Sequence, residues 1–221
     1  MEYQGLTTDD LVNITELNRC FLRVVTASES PLYGVLSDCS LSLDEQLRLA
    51  SAPFLLFSLR EHDDDFWQRL LDDSPQLGFI DQGETPCAEI CQLQAAGLSF
   101  LWQLARRNPY AVRLICGASV SWCERLARLA LITLLARSAH RHDLLGLRFA
   151  DDDMLWRRLL GHGVAKSYKL RRASHYRALQ HMLTHRRASQ SARLSAAACA
   201  MRAPSQQLVP QDRGGIREPK V

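Results

Sequence analysis

Two runs of three aspartates, Asp63-Asp64-Asp65 and Asp151-Asp152-Asp153, are the densest groups of possible metal ligands in the sequence. Aspartate-rich helices can hold magnesium against a diphosphate, but that chemistry needs carboxylates again one turn on, converging on the ion. Here Phe66-Trp67 and Met154-Leu155-Trp156 follow, so the second turn is apolar. Both runs read instead as helix starts, where aspartate caps the first amides and complements the macrodipole. His181 and His185 stand four apart, yet no glutamate follows His181 as a metalloprotease helix requires. Cys87 and Cys91 also stand four apart, but there is no CxxC pair and no Cys/His cluster to complete a zinc set. The seven cysteines are an odd number spread through apolar segments, which reads as buried thiols in a reducing compartment. With no glycine-rich phosphate loop or nucleophile elbow either, the expectation is a non-enzymatic protein with no catalytic residue, bound metal or small-molecule cofactor.

The charge distribution points to a polyanion or to internal pairing. Residues 1–100 hold 5 Lys and Arg against 17 Asp and Glu, a net of −12, while residues 101–221 hold 22 against 7, a net of +15. From Gly161 onward 12 basic residues face two acidic ones, and Tyr168, His175 and Tyr176 interleave with the first of them. Such a surface binds phosphates by releasing counterions. The candidate contacts are Lys166, Lys169, Arg171, Arg172, Arg177, Arg186 and Arg187. A second group lies in Val112-x-x-x-Cys116-Gly117-Ala118-x-Val120-x-x-Cys123-x-x-Leu126, which has helix-turn-helix spacing. Its second helix would turn Ser119, Ser121, Trp122, Arg125 and Arg128 outward, although Trp122 serves equally well as a core residue.

The elements that must position these groups are helical. Leu, Ala and Arg dominate and Gly and Pro are sparse before residue 186, so an all-α orthogonal bundle is expected. Thr7-Thr8-Asp9-Asp10 starts a first helix, and Ser42 with Glu45 makes a capping box for a second over 43–60, kinked or divided at Pro53. Asp63 opens a third. Further helices are expected over 86–107, 110–116, 121–139, from Asp151, and over 167–185. The organisation read from this is an acidic unit at 1–73, a polar linker at 74–85 and a basic unit at 86–185. Residues 186–221 hold few large apolar side chains and are expected to be a disordered basic tail. No apolar run reaches the roughly 18 residues of a membrane span, and Met1-Glu2-Tyr3-Gln4 lacks a signal peptide's basic and apolar regions, so a cytoplasmic protein is expected.

The two units echo one another. Phe21-Leu22 matches Phe100-Leu101, Ser42 matches Ser119, and Leu59-Arg60 with Asp63-Asp64-Asp65 and Trp67 matches Leu147-Arg148 with Asp151-Asp152-Asp153 and Trp156. The offset is 88 at the aspartates, with one extra residue before Trp156. Two tandem pseudo-repeats are the expected plan.

The first unit also resembles the FlhD component of the bacterial flagellar master regulator. The resemblance rests on Asn18, Phe21 and Leu22, on Leu41-x-Leu43-x-x-Gln46-x-x-Leu49-Ala50, and on Arg60 with the acidic stretch before Leu70. It spans about a quarter of the chain, and the chain departs from it in a shorter connection before Leu41 and an additional C-terminal half. It implies a helical, oligomeric transcription regulator that acts through partner contacts. The combined expectation is a bacterial transcriptional regulator, with DNA bound by the basic unit and a protein partner or second copy by the acidic one. The alternative is a helical adaptor or chaperone that binds a protein in an apolar groove near Trp67 and Trp156.

Overall fold

A computed structural model describes residues 5–27, 41–72, 88–139, 141 and 143–184. The expected linker, the tail, His185, Arg186 and Arg187 lie outside these residues, as do Cys39, Cys87 and Cys199. The architecture is all-α, with one short pair of strands among the described residues. No described helix is long and apolar enough to cross a membrane.

Side-chain caps set most of the helix starts. Helix α1 (Thr8–Ala27) begins where Thr7 and Asp10 bond each other reciprocally, at 2.7 Å from the Thr7 amide and 3.2 Å back to the Thr7 hydroxyl. Helix α2 (Leu43–Ala50) has the full capping box of Ser42 and Glu45. Helix α3 (Asp64–Asp72) is opened by Asp63, whose carboxylate accepts from the Phe66 amide at 2.9 Å. Helix α4 (Ala88–Arg107) stops at Asn108, whose side chain in turn caps α5 (Pro109–Cys116). Gly117, at φ 75°, makes the left-handed turn, and Ser119 caps α6 (Val120–Arg128). Helix α7 (Leu131–Ser138) follows, then α8 (Asp153–Arg158), which runs into a π-helical turn at Leu159–Gly163, and finally α9 (Tyr168–Thr184).

Two helices end earlier than their patterns predict. Helix α2 stops at Ala50, not at residue 60, because Pro53 has no amide to offer the Leu49 carbonyl and its ring would strike it. Asn18 then replaces the missing helical bonds. Its amide donates to Ala50 O (3.2 Å) and Phe54 O (2.9 Å), and its carbonyl accepts from the Leu56 amide (2.8 Å). The stretch that follows is buried throughout, and Phe57–Ser58 forms strand β1. The helix expected over 121–139 is divided at Leu129 and Ala130, where no local breaker stands. There the Trp102 indole, from α4, donates to the Leu129 carbonyl at 2.8 Å and holds the backbone extended.

Strand β2 (Gly146–Leu147) pairs antiparallel with β1, Phe57 opposite Leu147 and Ser58 opposite Gly146. On either side of this pairing the chain repeats one device. Arg60 and Phe149 are both left-handed (φ 54° and 57°), and their carbonyls accept from the amides of Asp63 (2.9 Å) and Asp152 (3.0 Å). Those aspartates cap the helices carrying Trp67 and Trp156, whose indoles return to the carbonyls of Arg60 (3.0 Å) and Arg148 (2.6 Å). By the capping aspartates the offset is 89, Asp63 with Asp152, which removes the extra residue that the sequence match needed before Trp156. It sets Arg60 opposite Phe149, however, so the two indole bonds fall one residue out of step. It also makes Phe57 equivalent to Gly146 and Ser58 to Leu147. The observed register is then what a local twofold between the strands requires.

Buried apolar residues from both halves form one continuous cluster, from Ile14 to Met182. At its centre lies Arg148, with a side chain 4% exposed beside the fully buried Glu61. Its guanidinium donates to Glu61 (2.6 Å), Leu55 O (2.5 Å), Phe57 O (2.6 Å) and Cys116 O, with Met182 Sδ at 3.7 Å. Glu61 also accepts from the Ser58 hydroxyl and the Leu59 amide, both at 2.8 Å. Burial alone would raise the Glu61 pKa, but Arg148 and these donors hold it below the ordinary carboxylate value.

Candidate nucleic-acid interface

Ion pairing across the fold consumes part of the basic surplus of the C-terminal half. Arg107 reaches Asp10 at 2.5 Å, Arg125 pairs with Asp64, and Arg148 pairs with Glu61. Burial pulls the Asp10 carboxyl upward, but Arg107 and Thr7 hold it below its ordinary value. Among the described residues, the acid-free stretch with the most basic side chains is α9 and the segment before it. Between Met154 and Thr184 there is no Asp or Glu, and seven Lys and Arg.

Lys166, Lys169, Arg172 and Arg177 are exposed there. Arg172 lies between two exposed tyrosines one turn away on either side, its guanidinium carbon 5.9 Å from the Tyr168 ring and 5.1 Å from that of Tyr176. It also donates to the Tyr176 hydroxyl at 3.2 Å, so the two side chains fix each other. Arg171 turns inward and donates to Ala165 O at 2.9 Å, bracing the turn that leads into the helix. The cations gathered around the start of α9 oppose its positive dipole end, so a phosphate at this end relieves both repulsions.

The opposite face anchors the helix. His175 is 5% exposed and packs against Gly163, where a side chain would come within 3.3 Å of its Nε2. Burial, with help from Arg171, pushes the His175 pKa down to about 4. The unfolded chain therefore takes up this proton near pH 6.5 and the folded protein does not, so stability falls as the pH drops from 7 toward 4. Urea unfolding should show wild type losing about 2 kcal/mol more than His175→Gln between pH 7 and pH 5. Equal losses would remove His175 from this role.

The other candidates sit in different surroundings. Ser119 is occupied as the cap of α6, and its hydroxyl lies 2.9 Å from that of Ser121. Trp122, one of the residues considered for the outward face, is in the core against Trp67, with ring centroids 5.2 Å apart. Arg125 is held by Asp64, and Arg128 lies 3.9 Å from Glu124 on the same exposed face. The helix-turn-helix spacing is thus real as geometry, but its second helix presents mixed charge. The candidates form two groups on two helices, and only the α9 group lacks carboxylates in its own segment.

Sequence reading missed Arg157, Arg158 and His162, which are exposed just before α9. Counting charge from Met154, where acids stop, would have found the two arginines. A groove of about 560 Å³ separates this segment from α9. By contrast, Trp67 and Trp156 are fully enclosed, so the groove considered beside them for a protein-binding role is filled by the core.

No protein-family model matches the chain, and no curated protein or solved structure matches it significantly.

Proposed function

We propose that the chain is a non-enzymatic regulatory protein of the bacterial transcription-regulator class, and that it contacts DNA through the exposed basic face of α9. The observation that carries this reading is a face with Lys166, Lys169, Arg172 and Arg177, tyrosines stacked among them, and no carboxylate from Met154 to Thr184. The resemblance of the first unit to the flagellar regulator supports the same class, although its buried carriers, Asn18, Phe21, Leu22, Leu49 and Ala50, are packing residues. A protein partner or second copy on the first unit belongs to the same proposal. Fluorescence anisotropy of mixed-sequence duplex DNA across a salt series tests it. The expected result is binding whose log affinity falls linearly with log salt, by about 0.9 per phosphate neutralised. Absence of binding at low salt would reject it.

The second reading is a protein adaptor. It draws on Leu43 (70% exposed) and Leu47, which stand one turn apart on the solvent side of α2. It becomes the better account if DNA does not bind and capture on the folded chain depends on Leu43.

A further inference from the structure

We infer that the groove between the α8–π segment and α9 receives an unpaired nucleotide, so that the nucleic acid held by α9 is preferentially single-stranded. This rests on the nucleic-acid reading above and specifies its ligand. Its apolar lining is the buried Leu155 with the exposed Leu170 and Ala173, and Tyr176 is half exposed beside them. The volume of about 560 Å³ falls in the range that encloses small planar ligands. Arg158 enters from one wall and Arg177 from the other, and both also line the adjoining depression toward Met154 and Thr184. Neither has an ion-pair partner among the described residues. Two uncompensated guanidiniums beside an apolar lining match a flat ring with a phosphate attached.

A base inside a duplex cannot supply that ring, because its faces are covered by its neighbours and only backbone and groove edges reach a protein surface. An unpaired base can lie on Leu155 and Leu170 with Tyr176 at its edge, while its phosphate meets Arg158 and Arg177. The Arg172–Tyr176 bond holds that tyrosine in place before any ligand arrives. At the far end Asp152 pairs with His181 at 3.4 Å, so the anion is favoured in the middle of the groove and not beyond it. Gln180, which lines both depressions, offers a donor and an acceptor to the base edge.

The test compares labelled oligothymidine with a duplex of the same length, using the full chain, Ala173→Leu and Tyr176→Leu. Ala173→Leu adds bulk to the lining without changing charge, and both positions are exposed, so unchanged circular dichroism is expected for both. Wild type should bind the single strand at least about tenfold more tightly than the duplex. In either variant that preference should collapse, and in Ala173→Leu, which leaves the basic face and its tyrosines intact, duplex affinity should stay within about twofold. Equal affinity of wild type for both ligands, or a preference that survives Ala173→Leu, would overturn the inference and leave the α9 contact standing. Failure of both ligands to bind would overturn the nucleic-acid reading and this inference together.

Discussion

Arg148→Ala is expected to lower the unfolding free energy by about 4 kcal/mol, since removing one partner of a buried ion pair strands the other charge. Four acceptors each lose a donor at once: Glu61, Leu55 O, Phe57 O and Cys116 O. These come from the segment entering β1, the strand itself, the turn after it and the end of α5, and Met182 of α9 also touches the guanidinium. The substitution therefore loosens the seat of α9 as well as the joint between the halves. Arg148→Lys restores the charge but cannot reproduce the fork, and should recover less than half of the loss. Urea denaturation against Arg157→Ala, an exposed arginine on α8, provides the comparison. A loss no larger than that of Arg157→Ala would mean that Arg148 is not the centre of the fold.

The second large effect concerns binding. Lys169→Gln, Arg172→Gln and Arg177→Gln together should weaken duplex DNA binding on the order of a hundredfold at low salt. The slope of log affinity against log salt should flatten by about 0.9 for each phosphate that is no longer neutralised. Stability should change little, because none of the three holds a carboxylate. Arg125→Gln with Arg128→Gln should weaken binding less than threefold and should cost at most about 1 kcal/mol of stability, through the exposed pair with Asp64. The reverse ranking would place the contact on the helix-turn-helix.

Caps explain why so much of the fold was legible. Ser42 with Glu45, Asn108-Pro109, and Ser119 act on amides within three residues, so a local pattern suffices to place the helices they start. The boundaries that went wrong depend on distant partners. The helix expected over 43–60 is divided at Pro53 as its sequence predicts, but its second half becomes an extended strand instead of helix. The cause is Asn18, more than thirty residues away, which takes backbone groups of residues 50–56. The division after α6 depends on Trp102 in the same way. The strand pair had no local signal, because Phe57–Ser58 lies in a uniformly buried run and Gly146–Leu147 is two residues long. The echo was legible from the aspartates and the tryptophans, but three consecutive aspartates leave open which one caps, and at the capping offset Arg60 stands opposite Phe149 instead of Arg148. For the candidate interface, composition located the basic run, but not which arginines are spent. Arg125 and Arg177 look alike in sequence, and only the fold brings Asp64 to the first and leaves the second beside a groove.

The most direct test of the α9 contact uses the scarcity of lysine. The sequence contains three, Lys166, Lys169 and Lys220, and the first two lie at the start of α9. Acetylation rates of each lysine, followed by mass spectrometry with and without saturating DNA, report contact at this face. The account predicts that Lys166 and Lys169 react several-fold more slowly when DNA is bound, and that the protection disappears at high salt. Unchanged rates at both lysines under conditions where DNA is demonstrably bound would contradict it.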